Sequence, residues 1–268
     1  MFSDISVIVR GGGDLATGVI YTLYQTGFKV IGTEISEPLV VRRTVSFAEA
    51  IYEGKFTVEE VTANRVDDFT EIKQVLSRNE VPIVVDSEAE IIDRLQPQIV
   101  VDATMAKRNL GTGLNDAFLV IGLGPGFTAG EDVDVVIETN RGHDLGRIIT
   151  AGQAESNTGI PGEVKGYSTK RVLKSPTRGK FITDRRIGDS IAAGEIFGYV
   201  DNDAIKAELE GMIRGVLKSG IEVKQGTKLG DIDPRNEIDY CYRISDKARA
   251  IGGAVLTAIL SFDQQWRD

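Results

Sequence analysis

The segment of residues 10–18, RGGGDLATG, carries the strongest chemical signal in the chain. It fits the pattern G-x-G-x-x-G/A, in which a tight glycine turn lets backbone N–H groups approach a phosphate while a helix N-terminus adds partial positive charge. Glu34 follows at the spacing that usually places an acid on a ribose. A turn that binds nothing is the competing interpretation, and the acid within the turn would repel phosphate. The predicted ligand-binding residues are Gly11, Gly12, Gly13, Asp14, Ala16 and Glu34.

Two further loops supply groups that suit a flat, phosphate-bearing ligand. Residues 122–130, GLGPGFTAG, contain glycines that allow close backbone approach, and residues 102–111, DATMAKRNLG, contain cationic and amide side chains. A purely structural connection explains the glycine loop nearly as well. The ligand-binding residues predicted in these two loops are Gly122, Gly124, Gly126, Lys107 and Asn109.

His143 is the one candidate for proton transfer, because it is the single histidine and histidine alone has an unperturbed pKa near neutrality. A structural role is the competing interpretation. The single cysteine, Cys241, is predicted to be a small buried residue. One histidine and one cysteine exclude sites that need two of either kind, including HExxH zinc sites, thiolate zinc sites and iron–sulfur clusters. No metal site is predicted.

The candidate loops all follow predicted β-strands. Apolar, β-branched runs alternate with helix-like spacing through the first half of the chain, which predicts a parallel sheet with helices on both faces. Ligands in such folds bind beyond the carboxyl ends of the strands. We therefore expect an α/β, Rossmann-like doubly wound domain over residues 1–158. Its predicted strands are Ile5–Arg10, Phe28–Thr33, Ile83–Asp86, Ile99–Ala103, Phe118–Gly122 and Val133–Thr139.

The second half contains an internal repeat with a period of 32 residues, in which Gly179 recurs as Gly211 and Gly198 as Gly230. Such a repeat predicts two similar β units about a pseudo-twofold axis. Its pattern resembles the barrel-sandwich hybrid of biotinyl and lipoyl carrier domains, so we expect a β-rich module of this kind over residues 159–240. The joint between the copies is too short for a carrier hairpin, which favours a structural module that grips a partner or the neighbouring domain.

The last segment, residues 241–268, is expected to form a helix that packs on the body of the protein. Apolar residues recur at helical intervals from Asp246 to Trp266. Ser245 precedes them as a candidate N-cap, which is the usual signal for a helix start.

Composition limits the classes of partner. The 268 residues carry a formal net charge of −9, which argues against nucleic-acid binding because phosphates need a basic face. The N-terminus lacks the pattern of a signal peptide, and the longest apolar run, Ile251–Leu260, is about half a membrane span. These features predict a cytoplasmic protein without a nucleic-acid or membrane partner, and they leave a homo-oligomer open.

Several long motifs occur in order along nearly the whole chain: VRGGGDLATG, EPLVVRRTVSFAEAIYEG, DATMAKRN, GLGPGFTAG, RGHDLGR, NTGIPG, KLGDIDPR and SDKARAIGG. Together they resemble the accessory proteins of the selenium-dependent molybdenum hydroxylase system. The resemblance implies a role in maturation of the hydroxylase. It also implies the molybdenum cofactor, in its pterin or dinucleotide form, as ligand and the molybdenum hydroxylase apoenzyme as partner. It supplies no catalytic residues.

The sequence and the resemblance together predict a nucleotide-binding, Rossmann-like maturation factor. The glycine turn would hold the phosphate of the molybdenum cofactor, Glu34 would meet a ribose or pterin edge, and the β module would dock the hydroxylase. Two alternatives stay open. One is an NAD(P)-dependent oxidoreductase, favoured by the glycine turn, and the other is a ligand-free scaffold that only chaperones the apo-hydroxylase.

Overall fold

The computed structural model describes residues 2 and 4–263 of the chain. The chain folds into two compact units. The first unit comprises Met1–Pro38, Ser46–Asn157 and Ile244–Asp268, and the second comprises Leu39–Val45 and Thr158–Arg243. Each unit therefore combines segments that are distant in the sequence.

The first unit contains most of the helices and a large sheet. Its strands are, in chain order, β1 (Ser6–Arg10), β2 (Lys29–Glu34), β3 (Lys55–Val58), β4 (Val61–Val66), β5 (Val81–Val85), β6 (Ile99–Asp102), β7 (Leu119–Leu123), β8 (Thr128–Ala129), β9 (Val135–Ile137), β10 (Ile148–Ile149) and β11 (Gly152–Gln153). The α-helices of the chain are α1 (Asp14–Gln25), α2 (Glu49–Glu53), α3 (Ile72–Ser77), α4 (Ile91–Leu95), α5 (Asp239–Tyr242) and α6 (Asp246–Asp263). All but α5 belong to the first unit.

Within the described residues, nine strands form one mixed sheet in the order β10-β9-β7-β6-β1-β2-β5-β4-β3. The inner strands pair in parallel, whereas β3 and β10 are antiparallel at the two edges. Strand β1 lies between β2 and β6. The chain therefore adds its next strands on one side of β1 and its later strands on the other side. Such a switch point is where α/β proteins commonly bind ligands.

The prediction of a Rossmann-like doubly wound domain was wrong, because the mixed sheet follows a different strand order. The hairpin of β3 and β4 enters after β2, and β5 then inserts between β4 and β2. No strand is predicted at residues 55–66, because KFTV and VTANRV lack the continuous apolar run of the other strands. In the structure both of these strands are only partly buried.

Helices α1 and α6 meet in backbone contact. A Cβ added at Gly18 of α1 would lie 2.7 Å from the carbonyl carbon of Ala248 in α6. A Cβ added at Gly252 would lie 2.5 Å from Gly18 O and would also meet the side chain of Thr22. Gly18 thus contacts Ala248, and one turn later Thr22 contacts Gly252. The two helices therefore run in the same direction and begin at the same end.

The sheet has α1 on one face and α3 and α4 on the other. A Cβ added at Gly32 of β2 would lie 3.4 Å from Ile20 of α1. The adjacent residue, Ile31, packs with Ile72 of α3 and Ile91 of α4 in a buried cluster. Because successive residues of a strand point to opposite faces, these contacts place the helices on the two sides.

Helix α6 begins at Asp246, where the sequence predicts a helix start, and is described to Asp263. The Ser245 hydroxyl accepts a hydrogen bond from Ala248 N at 3.1 Å, as an N-cap does. Residues 264–266, the end of the predicted helix, lie outside the described residues.

The second unit is built from short antiparallel strands. They are β12 (Val172–Lys174), β13 (Gly179–Ile182), β14 (Ser190–Ile191), β15 (Ile196–Val200), β16 (Asp203–Lys206), β17 (Gly211–Val216), β18 (Glu222–Val223) and β19 (Lys228–Asp233). Within the described residues they form two four-stranded sheets, in the orders β12-β19-β17-β14 and β16-β15-β13-β18.

The prediction of a barrel-sandwich-hybrid module was wrong, and the unit consists of this pair of sheets. The repeat is present in the strands, because β13, β14 and β15 of the first copy correspond to β17, β18 and β19 of the second. The copies exchange strands, since β14 pairs with β17 and β18 with β13. Each sheet also gains a strand outside the repeated pattern. These are β12, which precedes the first copy, and β16, which the joint between the copies forms.

Two neighbouring glycines of α6 give a matched test of the α1–α6 contact. We expect Gly252→Ala to lower the free energy of unfolding by about 1–3 kcal/mol, because the new methyl group overpacks the contact with Gly18. Gly253→Ala, where nothing lies within 4 Å of an added Cβ, should raise it by about 0.5–1 kcal/mol through higher helix propensity. Urea unfolding followed by circular dichroism measures both changes. Equal effects would show that the helices do not meet in backbone contact.

Candidate functional site

The carboxyl ends of β1, β2, β6, β7 and β9 lie along one edge of the sheet, because these strands run in parallel. We call this the carboxyl edge. The strand ends, the loops and the first turn of α1 at this edge contain the ligand-binding residues predicted from the sequence. Helix α1 begins directly after β1, and α6 begins beside it.

The glycine turn after β1 is packed by two neighbouring loops. Gly11 adopts a φ of +99°, and a Cβ added there would lie 3.0 Å from Ala103 O in the loop after β6. A Cβ added at Gly12 would lie 2.9 Å from Ala48 N, which donates a hydrogen bond to Gly12 O. Gly13 is the N-cap of α1 and supplies no capping side chain. Close packing therefore explains the first two glycines, and α1 begins without a side-chain cap at the third.

The Glu34 carboxylate binds the glycine turn. Its Oε2 accepts a hydrogen bond from Gly12 N, and its Oε1 accepts one from Ile35 N, each at 2.8 Å. Burial raises the pKa of Glu34, and the two N–H donors offset that effect only in part. The Gly12 N–H expected at a phosphate is therefore engaged by Glu34, which faces the turn. The phosphate-binding role of the turn, including Gly13, Asp14 and Ala16, stays a prediction.

A buried polar network joins β1 to the loop after β6. Asp102 is fully buried, and its Oδ2 accepts a hydrogen bond from Thr112 Oγ1 at 2.6 Å. Thr112 Oγ1 in turn accepts one from Arg10, whose Nη1 lies 3.5 Å from Asp102 Oδ2. The other carboxylate oxygen of Asp102 accepts hydrogen bonds from the backbone and hydroxyl of Thr104. Because these buried groups satisfy one another, the network holds residues 103–112 at the carboxyl edge.

The loop held by this network exposes Lys107 but uses Asn109 internally. Asn109 Nδ2 donates to Thr112 O at 2.7 Å, and its Oδ1 accepts hydrogen bonds from Gly111 N and Thr112 N. The Lys107 side chain is exposed. Asn109 therefore fixes the shape of the loop, and its predicted contact with a ligand would require these bonds to break.

The glycines of the second glycine loop also permit close packing. A Cβ added at Gly122 would lie 2.6 Å from the ring of Phe127, and one added at Gly126 would lie 2.7 Å from Arg108 N. A Cβ added at Gly124 would meet Thr139 after β9. These contacts stack the loop against the loops after β6 and β9. A ligand-binding role for the three glycines stays a prediction.

The start of α6 brings to the carboxyl edge charged groups that are not predicted from the sequence. Lys247 is half-buried, and Asp14, Glu138 and Asp246 surround it together with the Arg141 guanidinium. Burial lowers the pKa of Lys247, and the three acids do not fully offset this effect. The motif SDKARAIGG contains the lysine, but its position beside the glycine turn depends on the α1–α6 contact, which sequence spacing does not reveal.

Two neighbours of this lysine are fixed by their own contacts. Glu138 is buried and accepts hydrogen bonds from Asn140 N at 2.6 Å and Glu155 N at 2.7 Å. Arg141 donates to both carboxylate oxygens of Asp246, at 2.7 and 2.8 Å. The charges around the lysine are therefore held in a defined arrangement.

Neither of the other candidates, His143 and Cys241, is among the described groups whose charges act on Lys247. His143 is exposed on the loop after β9, and its catalytic role stays a prediction. Cys241 is buried, and burial raises the pKa of its thiol. No group of three or more His, Cys, Asp or Glu residues suited to a metal ion occurs in the part of the chain that the structure describes. None of the helices described has both the length and the apolar character that crossing a bilayer requires.

Comparison with known sequences gives one informative relative. No family model matches the chain. The chain is 46% identical over 259 residues to the uncharacterized protein YqeB of Escherichia coli (strain K12). The match covers 97% of this chain and 48% of YqeB, so the chain spans about half the length of the curated relative that it matches.

Several solved structures show a low similarity to the chain. A succinylglutamate desuccinylase/aspartoacylase from Rhodobacter sphaeroides has a TM-score of 0.25 at 9% identity, with 85% of each chain covered. The ectoine utilization protein EutE (DoeB) from Ruegeria pomeroyi has a TM-score of 0.25 at 8% identity, again with 85% of each chain covered. An aspartoacylase family protein from Mesorhizobium loti has a TM-score of 0.24 at 9% identity, covering 85% of this chain and 84% of its own. Likenesses this low assign no activity to the chain.

The comparisons overturn the predicted family. The similar structures are named as desuccinylase, aspartoacylase or ectoine utilization proteins, and YqeB has no named activity. None of these proteins is named as a component of the selenium-dependent molybdenum hydroxylase system. The predicted role in hydroxylase maturation was therefore wrong, and so were the selenium and molybdenum-cofactor descriptions that depended on it. Binding of NAD(P) and formation of a homo-oligomer stay predictions.

The Arg10–Asp102 network can be tested by Thr112→Val, which removes the bridging hydroxyl and keeps the side-chain volume. We expect a loss of about 1–3 kcal/mol in the free energy of unfolding, because two buried polar groups lose a hydrogen bond. Thr57→Val on the edge strand β3 removes an exposed hydroxyl, whose hydrogen bond with Thr62 Oγ1 water can replace, and should change stability by less than about 0.5 kcal/mol. Hydrogen exchange across residues 103–112 should accelerate only in Thr112→Val. Unchanged exchange and unfolding would mean that the network does not hold the loop.

Proposed function

We propose that the first unit binds a small monocarboxylate at the carboxyl edge, between the N-termini of α1 and α6. The observation that carries this proposal is the arrangement of the two helices, which begin side by side at the switch point of the sheet with the half-buried Lys247 beside them. Helix N-termini attract anions through unsatisfied N–H groups and partial positive charge. A lysine in the first turn of one helix adds a full charge.

The charges at the edge favour a ligand with a single negative charge. At this edge Asp14 begins α1, Glu34 ends β2 and Glu138 follows β9, and these acids would repel a diphosphate more strongly than a carboxylate. Arg141 is engaged by Asp246, and Lys247 is the cation that lies at the start of α6 beside Asp14. NAD(P) would bring a diphosphate to the same edge, so it is the natural polyanion for comparison. The cytoplasmic location predicted from the sequence is part of this proposal.

Binding can be located by recording amide NMR spectra of the full chain with a series of two- to six-carbon monocarboxylates. We expect the largest shifts at the start of α1, residues 13–15, and at the start of α6, residues 246–248. NAD⁺ and inorganic phosphate should give smaller shifts there at equal concentration and ionic strength. Larger shifts with NAD⁺ would favour the nucleotide-binding prediction, and shifts confined to other residues would contradict the site.

Lys247→Met tests the role of the lysine. We expect affinity for the best-bound monocarboxylate to fall at least about tenfold, which corresponds to about 1.4 kcal/mol, because the local cation is lost. Lys73→Met removes an exposed lysine of α3, on the opposite face of the sheet, and should leave affinity unchanged. Isothermal titration calorimetry measures both variants. Equal losses in the two would indicate a general charge effect.

The same lysine gives binding a defined pH dependence. Because its pKa is lowered, the amine loses its proton below the ordinary value of 10.5, and carboxylate affinity should fall as pH rises through that lowered pKa. Lys247→Arg keeps its charge, so its affinity should persist over the range in which the wild type loses affinity. A parallel decline in both proteins would exclude Lys247 as the titrating group.

A further inference from the structure

A groove of about 400 Å³ lies in the second unit between β12 and β16. It is lined on one side by all of β12, Val172–Lys174, and on the other by residues 204–206 of β16. Successive residues of a strand point to opposite faces of its sheet. A groove lined by consecutive residues therefore runs along the backbone edges of the two strands, and not over a face of either sheet.

Both of these edges lack a neighbouring strand. β12 and β16 are terminal strands of their sheets, and within the described residues β12 pairs only with β19 and β16 only with β15. Each strand thus presents a row of backbone N–H and C=O groups to the groove. The other terminal strands of this unit, β14 and β18, are two residues long, so β12 and β16 offer the longer edges.

The register of the β15–β16 hairpin shows which backbone groups point outward. Val200 pairs with Asp203 across a two-residue turn, so these two residues exchange hydrogen bonds. Hydrogen-bonded and non-hydrogen-bonded pairs alternate along antiparallel strands. Ala204, which lies opposite Tyr199, therefore belongs to a non-hydrogen-bonded pair. The N–H and C=O of Ala204 point away from β15, toward the groove.

The side chains along the groove favour an acidic occupant. Leu173 and Ile205 are buried apolar lining residues, while Lys174 and Lys206 are exposed on its two sides. Glu208 is the one acid among the residues that line the groove in the described part of the chain. In a chain with a net charge of −9, this groove carries more positive than negative charge.

We propose that this groove binds an extended, acidic peptide segment of a partner protein, which adds a strand to β16. The peptide backbone pairs with Ala204, its apolar side chains pack toward Leu173 and Ile205, and its alternate acidic side chains face Lys174 and Lys206. Main-chain hydrogen bonds supply affinity in this binding mode, and the lysines supply the preference for acidic segments. The groove belongs to the second unit alone, so this interaction is separate from the carboxylate site of the first unit.

A fluorescein-labelled peptide of alternating valine and glutamate is the probe, and the full chain is the binding protein. Fluorescence anisotropy should show saturable binding that weakens with salt. A peptide of alternating valine and lysine should bind at least about tenfold more weakly. A valine–glutamate peptide that is N-methylated at every residue should also lose affinity, because neither of its edges can donate to β16.

Ala204→Pro removes the outward N–H of β16 without removing a bond to β15 and should reduce peptide affinity at least about tenfold. Ala204→Ser keeps the N–H and is the matched control, with affinity expected to be unchanged. Lys206→Glu should weaken binding and reduce its salt dependence. If Ala204→Pro fails to fold by circular dichroism, the N-methylated peptide and the amide NMR shift of Ala204 in the wild type decide the question.

Three results would overturn the proposal. The first is no binding of the valine–glutamate peptide up to about 1 mM, and the second is equal binding of the acidic, basic and N-methylated peptides. The third is concentration-dependent self-association of the wild type, measured by sedimentation and lost in Ala204→Pro, which would assign the groove to a second copy of this chain.

Discussion

The backbone contact between α1 and α6 is the constraint on which the carboxyl edge depends. Helices with ordinary side chains at their contact lie 8–10 Å apart, and only residues without a Cβ permit the closer approach seen at Gly18 and Gly252. Glu59, which lies between β3 and β4, also holds α6 in place, because its carboxylate accepts two hydrogen bonds from Arg249. The end of the described chain is thereby fixed against its beginning, and Lys247 lies next to the turn after β1. Neither helix alone would create this charged edge.

The sequence predicts individual strands better than their arrangement. The predicted strand Ile5–Arg10 corresponds to β1, and Ile99–Ala103 to β6, because a strand buried on both faces requires a continuous apolar run. The order of strands depends on where the β3–β4 hairpin adds, and that is decided by contacts between distant segments. The repeat in the second unit shows the same limit. The 32-residue period identifies equivalent strands, but the exchange of β14 and β18 between copies leaves no local signal.

The site shows even more directly that the sequence reveals contacts between nearby segments better than contacts between distant ones. The glycine turn and Glu34 belong to one βαβ unit, so the sequence places them at one edge, but it does not reveal that Gly12 and Glu34 hydrogen-bond to each other. The sequence does not predict that Lys247 belongs to this site, because its nearness to Asp14 results from the packing of α6 on α1. The family resemblance failed for a related reason. Shared glycine motifs record requirements of turns and close packing, as at Gly126, and such requirements do not specify a reaction.

The edge strands of the second unit show how a strand with an unpaired edge can select the segments that pair with it. Unpaired edges promote aggregation, and proteins protect them with short strands and charged residues. β14 and β18 are protected by their short length, whereas β16 carries Asp203 at one end and Lys206 at the other. A flat apolar strand would gain little electrostatic energy by pairing there. A strand with complementary charges gains both backbone hydrogen bonds and ion pairs. The same charges that oppose indiscriminate pairing therefore make the groove specific for an acidic segment.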